Sequence, residues 1–187
     1  MIYGHTDLKK DVLIELDNTP YRVTEYSHHA MGRGGAVVQV KLKNLLTGGV
    51  VEKSFRSADK ISPAEVTRIK VQLLYKSDDD FNFMDQVSYD QMTVSADTLG
   101  DQSRFIAEGA EVNLLLFREK VIGLEMANAV YLKIIQTDPG AKGDTATTAL
   151  KPAVLETGIE INVPLFINTG DEVKVDTRSG AYLERRK

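Results

Sequence analysis

The sequence predicts an all-β protein built of three small barrels in series. Apolar and polar residues alternate with a period of two along much of the chain, turn-forming residues separate the alternating runs, and helical patterning is confined to one short segment. Barrels suit such a chain because closure removes the exposed edges of a sheet. We expect domains at residues 1–64, 65–128 and 129–187.

The first block predicts four antiparallel strands. VLIELD and YRVTEYSHH are typical of short strands joined at Asp17-Asn18-Thr19-Pro20, where Pro20 would set the backbone angle of the turn. The segment AVVQVKLKN alternates apolar and polar positions, and Thr47-Gly48-Gly49 turns the chain before the alternation resumes. These strands indicate one small barrel.

The second block begins after Ser62-Pro63, where we expect proline to block strand pairing. Alternation from Ile69 to Tyr75 leads to the acidic turn SDDD, and FNFMD and QMTV follow as strands, with Phe81 and Phe83 in the core. A short helix within LGDQSRFIAEG precedes the strands VNLLLF and VIGLEM. Three strands, a helix and two strands are the order of an OB-type barrel.

The third block, from about Val130, contains the strand candidates YLKIIQTDPG, VLETGIEINVPLFINTG and DEVKVDTRSGAYLERRK. Five alternate positions from Ile159 to Ile167 are apolar, which predicts one long half-buried strand. A third small barrel follows from this pattern.

Composition excludes several classes of protein. No apolar run approaches the roughly 18 residues that span a bilayer, the first residues lack the features of a secretory signal, and the chain contains no cysteine. We therefore expect a cytoplasmic protein with no membrane partner. The net charge of −4 argues against a generic nucleic-acid binder. Net charges of +2, −6 and 0 in the three blocks instead suggest that polyanions meet the two ends.

The sequence shows no pattern typical of an enzyme, a cofactor site or a metal site. It lacks a phosphate-binding loop, a His-Glu-x-x-His helix and any nucleophile–base arrangement. Adjacent His28 and His29 would point to opposite faces of a strand, and the SDDD segment lacks the glycine and distal glutamate of a calcium loop. We expect no catalytic residue, no metal and no cofactor.

The stretch HHAMGRGGAVVQVKLKN places Arg33 on a loop of three glycines, Gly32, Gly34 and Gly35. Glycine lets a backbone approach another surface closely or adopt positive φ, and a guanidinium is suited to phosphate or RNA. Physical reasoning leaves two readings open: a flexible hairpin tip with a solvated arginine, or a contact to RNA.

The chain resembles bacterial elongation factor P. The resemblance rests on GRGGAVVQVKLKNLLTGGVVEKSFRS, FMDQVSYDQMTV, TDPGAKGDTA with KPAVLETG, and VPLFINTGDEVKVDTRSGAYLERRK, in this order over nearly the full chain. It implies a KOW-like barrel followed by two OB-type barrels in an L-shaped outline. It also implies binding to the 70S ribosome beside P-site peptidyl-tRNA, where the factor relieves stalling at consecutive prolines without forming a bond itself.

The resemblance also implies a role for the glycine loop. In the family this loop reaches the tRNA CCA end, and the residue at its tip is often a lysine that receives a β-lysyl group. This chain has Arg33 there, with Met31 in place of a common proline. Some members with arginine at the tip are rhamnosylated, so an arginine-modifying enzyme is a candidate partner. Gly32, Gly34 and Gly35 would support the tip.

Further RNA contacts are expected on both end blocks. Lys41 and Lys43 lie on or beside the hairpin, and Arg178 and Arg185 lie near the C-terminus. We expect a monomer. Two alternatives stay open: an elongation factor P-like paralogue, which also has arginine at the tip, and a generic OB-fold RNA-binding protein, which would need exposed aromatic side chains over a basic groove.

Overall fold

The computed structural model describes residues 2–31, 35–139 and 150–186, and within these ranges the protein is all-β, as the sequence predicts. Three five-stranded sheets follow one another along the chain. The described helices are one turn of α-helix, Ala96–Leu99, and two 3-10 turns, His5–Asp7 and Asp101–Phe105. None of these has the length or apolar character to cross a bilayer.

The first sheet has the strand order β4-β3-β2-β1-β5. Its strands are β1 Leu13–Leu16, β2 Thr19–Met31, β3 Gly35–Asn44, β4 Val50–Arg56 and β5 Ser62–Pro63. The alternation predicted on β3 is confirmed, because Val38, Val40 and Leu42 are all buried. They pack with Leu8, Ile14, Val23, Phe55 and Ile61 in a single apolar cluster.

Two local predictions in this sheet are wrong. The turn after β1 consists of Asp17 and Asn18, which have φ of 49° and 60°, and Pro20 pairs with Glu15 inside β2. Two-residue hairpins favour positive φ at both central positions, so the turn needs no proline. Pro63 does not block pairing either, because it lies in β5 opposite Ile14 at the edge of the sheet, where its missing N–H is tolerated.

The second sheet has the order β10-β9-β6-β7-β8. Its strands are β6 Thr67–Ser77, β7 Asp80–Asp85, β8 Gln91–Ser95, β9 Glu111–Phe117 and β10 Lys120–Glu125. Phe81 and Phe83 are buried as predicted. The short helix predicted within LGDQSRFIAEG is the 3-10 turn Asp101–Phe105, and one turn of α-helix that was not predicted, Ala96–Leu99, comes directly before it.

The third sheet has the order β13-β12-β11-β14-β15. Its strands are β11 Ala129–Thr137, β12 Leu150–Leu155, β13 Glu160–Pro164, β14 Glu172–Asp176 and β15 Tyr182–Arg185. The long strand expected from Ile159 to Ile167 is only the five residues of β13. Ile167 is nevertheless buried beyond its end.

The chain packs into two compact units, of which the first contains residues 1–69 and 114–123. Within it, Leu115, Phe117 and Ile122 from β9 and β10 form a buried cluster with Ala64, against which Leu13, Leu45 and Val66 pack. These apolar side chains connect β9 and β10 of the second sheet to β1 of the first sheet and to the segment around Ala64.

The second unit contains residues 70–113 and 124–187. Within it, the buried core of the third sheet includes Phe105, which comes from the 3-10 turn before β9. The three-domain division at residues 64/65 and 128/129 stays a prediction, and each of these two clusters lies across one of those divisions.

Candidate functional site

The hairpin of β2 and β3 is the longest paired element of the first sheet. Antiparallel pairing runs from Tyr21 opposite Asn44 to Met31 opposite Gly35, with one register shift between Val23 and Glu25. Strand β4 pairs with β3 only from Val37 to Lys43. The last two pairs of the hairpin, Ala30 with Ala36 and Met31 with Gly35, therefore extend past the end of the β3–β4 pairing.

Met31 and Gly35 close the described part of this hairpin by pairing with each other. The chain between them is Gly32, Arg33 and Gly34, which lie outside the described residues. The predicted roles of these five residues stay predictions.

Two ring side chains lie on the exposed part of β2. Tyr26 and His28 occupy the same face, and their rings meet edge to face with centroids 5.6 Å apart and planes at 87°. Each stands opposite a buried valine of β3, Val40 and Val38 respectively. Aromatic pairs favour this edge-to-face geometry. The two rings therefore pack on each other along this part of the hairpin, and the Tyr26 hydroxyl and the His28 imidazole supply its polar atoms.

Lys41 lies on β3 between acidic side chains of both neighbouring strands. It is opposite Glu25 on β2 and Glu52 on β4, and its Nζ lies 2.8 Å from Glu25 Oε2. The hydrogen bond to Glu25 and the charge of that carboxylate raise the pKa of Lys41. A polar groove of about 220 Å³ runs beside it. Lys43, two residues along β3, is half-buried opposite Arg22.

The two arginines predicted on the third sheet are also paired with carboxylates. Arg178 Nη2 lies 3.0 Å from Asp176 Oδ2, and the pKa of Asp176 is strongly lowered by this hydrogen bond and by backbone N–H donors of the same turn. Arg185 Nη1 lies 3.6 Å from Asp171 Oδ2, and its guanidinium lies over the ring of Phe166, 5.6 Å from the centroid. Phe166 is 58% exposed.

The structure adds an aromatic and ionic cluster on the third sheet that sequence reasoning missed. The Tyr131 hydroxyl donates to Glu184 Oε1 at 2.9 Å, and Lys174 Nζ donates to the same oxygen at 3.0 Å. Lys174 Nζ and the Arg186 guanidinium lie 5.6 and 5.2 Å from the centre of the Tyr131 ring. The hydrogen bond to Glu184 raises the pKa of both Tyr131 and Lys174.

This cluster is assembled from three strands, of which β11 lies far in sequence from the consecutive strands β14 and β15. Tyr131 on β11 stands opposite Lys174 on β14, which stands opposite Glu184 on β15. Alternation in each strand could have placed these side chains on the polar face, but only the order β11-β14-β15 brings them together. Aromatic rings beside cations can bind nucleic acid through stacking and phosphate contacts. Among the described residues, no group of three His, Asp or Glu side chains is arranged to hold a metal ion.

Three protein-family models match the chain in the order of the three sheets. Residues 5–61 match the Elongation factor P (EF-P) KOW-like domain, and residues 66–124 match the Elongation factor P (EF-P) OB domain. Residues 130–185 match the model described as Elongation factor P, C-terminal. Together these matches cover most of the chain.

Two full-length relatives agree with the family models. Elongation factor P of Maridesulfovibrio salexigens is 45% identical over 97% of this chain and 97% of its own length. Elongation factor P of Synechococcus sp. is 45% identical over 96% of this chain and 97% of its length. Among solved structures, eukaryotic translation initiation factor 5A from Methanococcus jannaschii is 20% identical, with a TM-score of 0.49 over 66% of this chain and 88% of that one. From the family models and the full-length relatives, the chain belongs to the elongation factor P family of translation elongation factors.

Proposed function

We propose that this protein binds the 70S ribosome beside the P-site peptidyl-tRNA and stimulates peptide-bond formation at consecutive prolines. Membership of the elongation factor P family supports a role in elongation. The ribosome forms the bond, and the protein acts as a positioning factor without chemistry of its own. Correct orientation of two reactants can lower a barrier by several kcal/mol. Proline benefits most because its ring fixes φ and makes it a stiff substrate.

The observation that carries this proposal is the β2–β3 hairpin. Its paired backbone extends past β4 as far as Met31 and Gly35, and it leaves only residues 32–34 to connect the strands. A paired ladder is stiffer than a free loop, because each residue in it has its backbone dihedrals fixed by cross-strand hydrogen bonds. Such a hairpin can carry Arg33 to a narrow site, and we assign that site to the CCA end of the tRNA.

Arg33 has chemistry that suits this role. A guanidinium stays charged, presents several N–H donors in one plane and stacks on flat rings, so it can contact both phosphates and bases at the CCA end. The flanking Gly32, Gly34 and Gly35 have no side chains to obstruct the approach of RNA. An enzyme that modifies arginine could extend the reach of this side chain further.

The remaining contacts are assigned by charge and position in the chain. The first block contributes Lys41 and Lys43 to the acceptor arm, and the third contributes Arg178 and Arg185 toward the elbow-to-anticodon side and the small subunit. We place the protein in the cytoplasm as a monomer, with domains at residues 1–64, 65–128 and 129–187. The tRNA and the ribosome are its partners, and no cofactor is required.

A reconstituted translation assay on a template encoding Pro-Pro-Pro tests the proposal. Arg33→Ala and Arg33→Lys should both lose most of the rescue of stalling, since neither retains the planar fork or an arginine-specific modification. The matched control is Arg56→Ala, which removes an exposed arginine at the end of β4 and should leave rescue unchanged. Protein isolated from its native host should be compared with unmodified protein. Equal rescue by wild type and both Arg33 variants would contradict the proposal.

A further inference from the structure

The turn between β7 and β8 exposes two large apolar side chains. Val87 is 85% exposed and Tyr89 is 71% exposed, the two highest values among the large hydrophobic residues that the structure describes. Single exposed apolar residues are common on protein surfaces. Two of them within three residues, both largely exposed at a hairpin tip, form a compact apolar projection.

Hydrogen bonds hold this turn in a defined shape. Asp85 Oδ1 accepts from the backbone N–H groups of Val87 and Ser88 at 2.7 and 3.1 Å, and Ser88 Oγ accepts from the Asp90 N–H at 3.2 Å. The two backbone N–H donors lower the pKa of the Asp85 carboxyl, so the cap is charged at neutral pH. Defined turns present side chains at a lower entropy cost on binding than mobile loops do.

The turn is also fixed to the strands beside it. The Gln86 N–H donates to the Lys70 carbonyl at 3.1 Å, and Gln86 Nε2 donates to Glu111 Oε1 at 2.8 Å. Lys70 and Glu111 in turn form an ion pair. The two exposed apolar side chains therefore project from a turn that is bonded to both β6 and β9.

Tyr89 adopts a backbone conformation that is unfavourable for tyrosine. Its φ is 64°, in the left-handed region where glycine and asparagine are more stable than other residues. Burial does not offset this cost, because the tyrosine is 71% exposed. A strained residue with an exposed aromatic ring is typical of a binding site, because the ring is retained at a cost in stability.

The charge around the turn selects the kind of partner. Residues 85–91 contain Asp85 and Asp90 and no Lys or Arg. Lys70, whose carbonyl accepts from the Gln86 N–H, has its side chain paired with Glu111. Carboxylates repel phosphates, so an RNA surface is disfavoured, whereas a protein surface with a cationic rim is complementary.

We propose that Val87 and Tyr89 anchor this turn in an apolar recess, rimmed by Lys or Arg, on a protein component of the ribosome. This inference rests on the proposed function only for the location of the partner. Valine and tyrosine would fill the recess, while Asp85 and Asp90 would face its cationic rim. Buried aromatic anchors surrounded by polar contacts are the usual source of affinity in such interfaces.

Tyr89→Asn separates binding from folding. Asparagine tolerates positive φ, so the variant should unfold a few degrees above wild type, while its affinity for purified 70S ribosomes should fall about tenfold or more. Val87→Ser should also weaken binding, without a gain in stability. Glu119→Asn is the matched control, since Glu119 has φ of 70°, and it should raise the unfolding temperature and leave affinity unchanged.

Photo-crosslinking identifies the class of partner. Benzoylphenylalanine in place of Tyr89 should crosslink to a ribosomal protein, and a crosslink to ribosomal RNA instead would overturn the inference. Unchanged affinity of Tyr89→Asn would overturn it too, and would leave the proposed function standing if wild type binds. Failure of wild type to bind 70S ribosomes would overturn both.

Discussion

Phe105→Ala removes the largest side chain from the core of the third sheet. Phe105 is 2% exposed and packs with Leu132, Ile134 and other residues of that core, although it precedes β9 in the chain. Its ring also lies against the backbone of Gly180 in the turn between β14 and β15, where a Cβ would stand 3.5 Å from Phe105 Cζ. Truncation would leave a cavity that these neighbours can fill only partly.

The expected loss of stability is large. Replacing a buried phenylalanine with alanine costs about 3–5 kcal/mol, because the transfer free energy of the ring is lost and a cavity remains. For a chain of this size, each kcal/mol corresponds to about 2–4 °C, so the unfolding transition that includes the third sheet should fall by about 6–20 °C. Phe105→Leu, which fills part of the cavity, should fall between wild type and Phe105→Ala.

Thermal and urea unfolding measure this effect. The chain contains no tryptophan, so circular dichroism and tyrosine fluorescence are suitable probes. Phe166→Ala is the matched control, because it removes the same ring from a 58% exposed position. It should cost no more than about 1 kcal/mol, which includes loss of the contact with Arg185. Equal destabilisation by Phe105→Ala and Phe166→Ala would refute the assignment of Phe105 to the core.

Three further predictions concern the ion pair of Arg118, the loss of stability at acid pH and the fragment 129–187. Arg118→Ala removes a 2.8 Å ion pair with Glu15, and because the arginine is largely exposed, urea unfolding should show a loss below about 1 kcal/mol. The pKa of Asp85 is lowered, so its contribution to folding stability is complete above the ordinary carboxyl pKa near 4 and declines as the pH falls below that value. The unfolding temperature of Asp85→Asn should therefore decline less steeply with falling pH than that of wild type. A fragment of residues 129–187 produced alone should unfold at a lower temperature than the third sheet does in the full chain, because Phe105, which packs in that core, lies outside the fragment; an equal unfolding temperature by circular dichroism would contradict this.

Alternation in sequence was sufficient to predict most of the strands and much of the core, although it missed β5 and overstated the length of β13. Val38, Val40 and Leu42 repeat with the period of a strand, and the burial of all three follows from that local pattern. The burial of Phe81 and Phe83 was predictable for the same reason. Such positions need no knowledge of which strands are neighbours, since a side chain's face is set by its place along its own strand.

Features that depend on partners far along the chain could not be predicted. Phe105 lies in a short 3-10 turn, and only packing assigns it to the core of the third sheet. Tyr131 meets Lys174 and Glu184 because β11 and β15 flank β14, an order that periodicity does not specify. The pairing of Pro63 with Ile14 likewise depends on the end of the first block returning to β1.

Charge counts along the sequence overstate the positive charge that RNA could contact. Lys41, Arg178 and Arg185 lie within 2.8, 3.0 and 3.6 Å of carboxylates of the same chain. A phosphate that approaches any of these cations must displace or share the carboxylate partner, so it neutralises less than one free charge at each position. Fewer counterions are then released from the RNA than three unpaired cations would release. The affinity of the protein for RNA should therefore depend less steeply on salt concentration than a count of Lys and Arg implies. Shape complementarity and apolar contacts have to supply the rest of the free energy of any such binding.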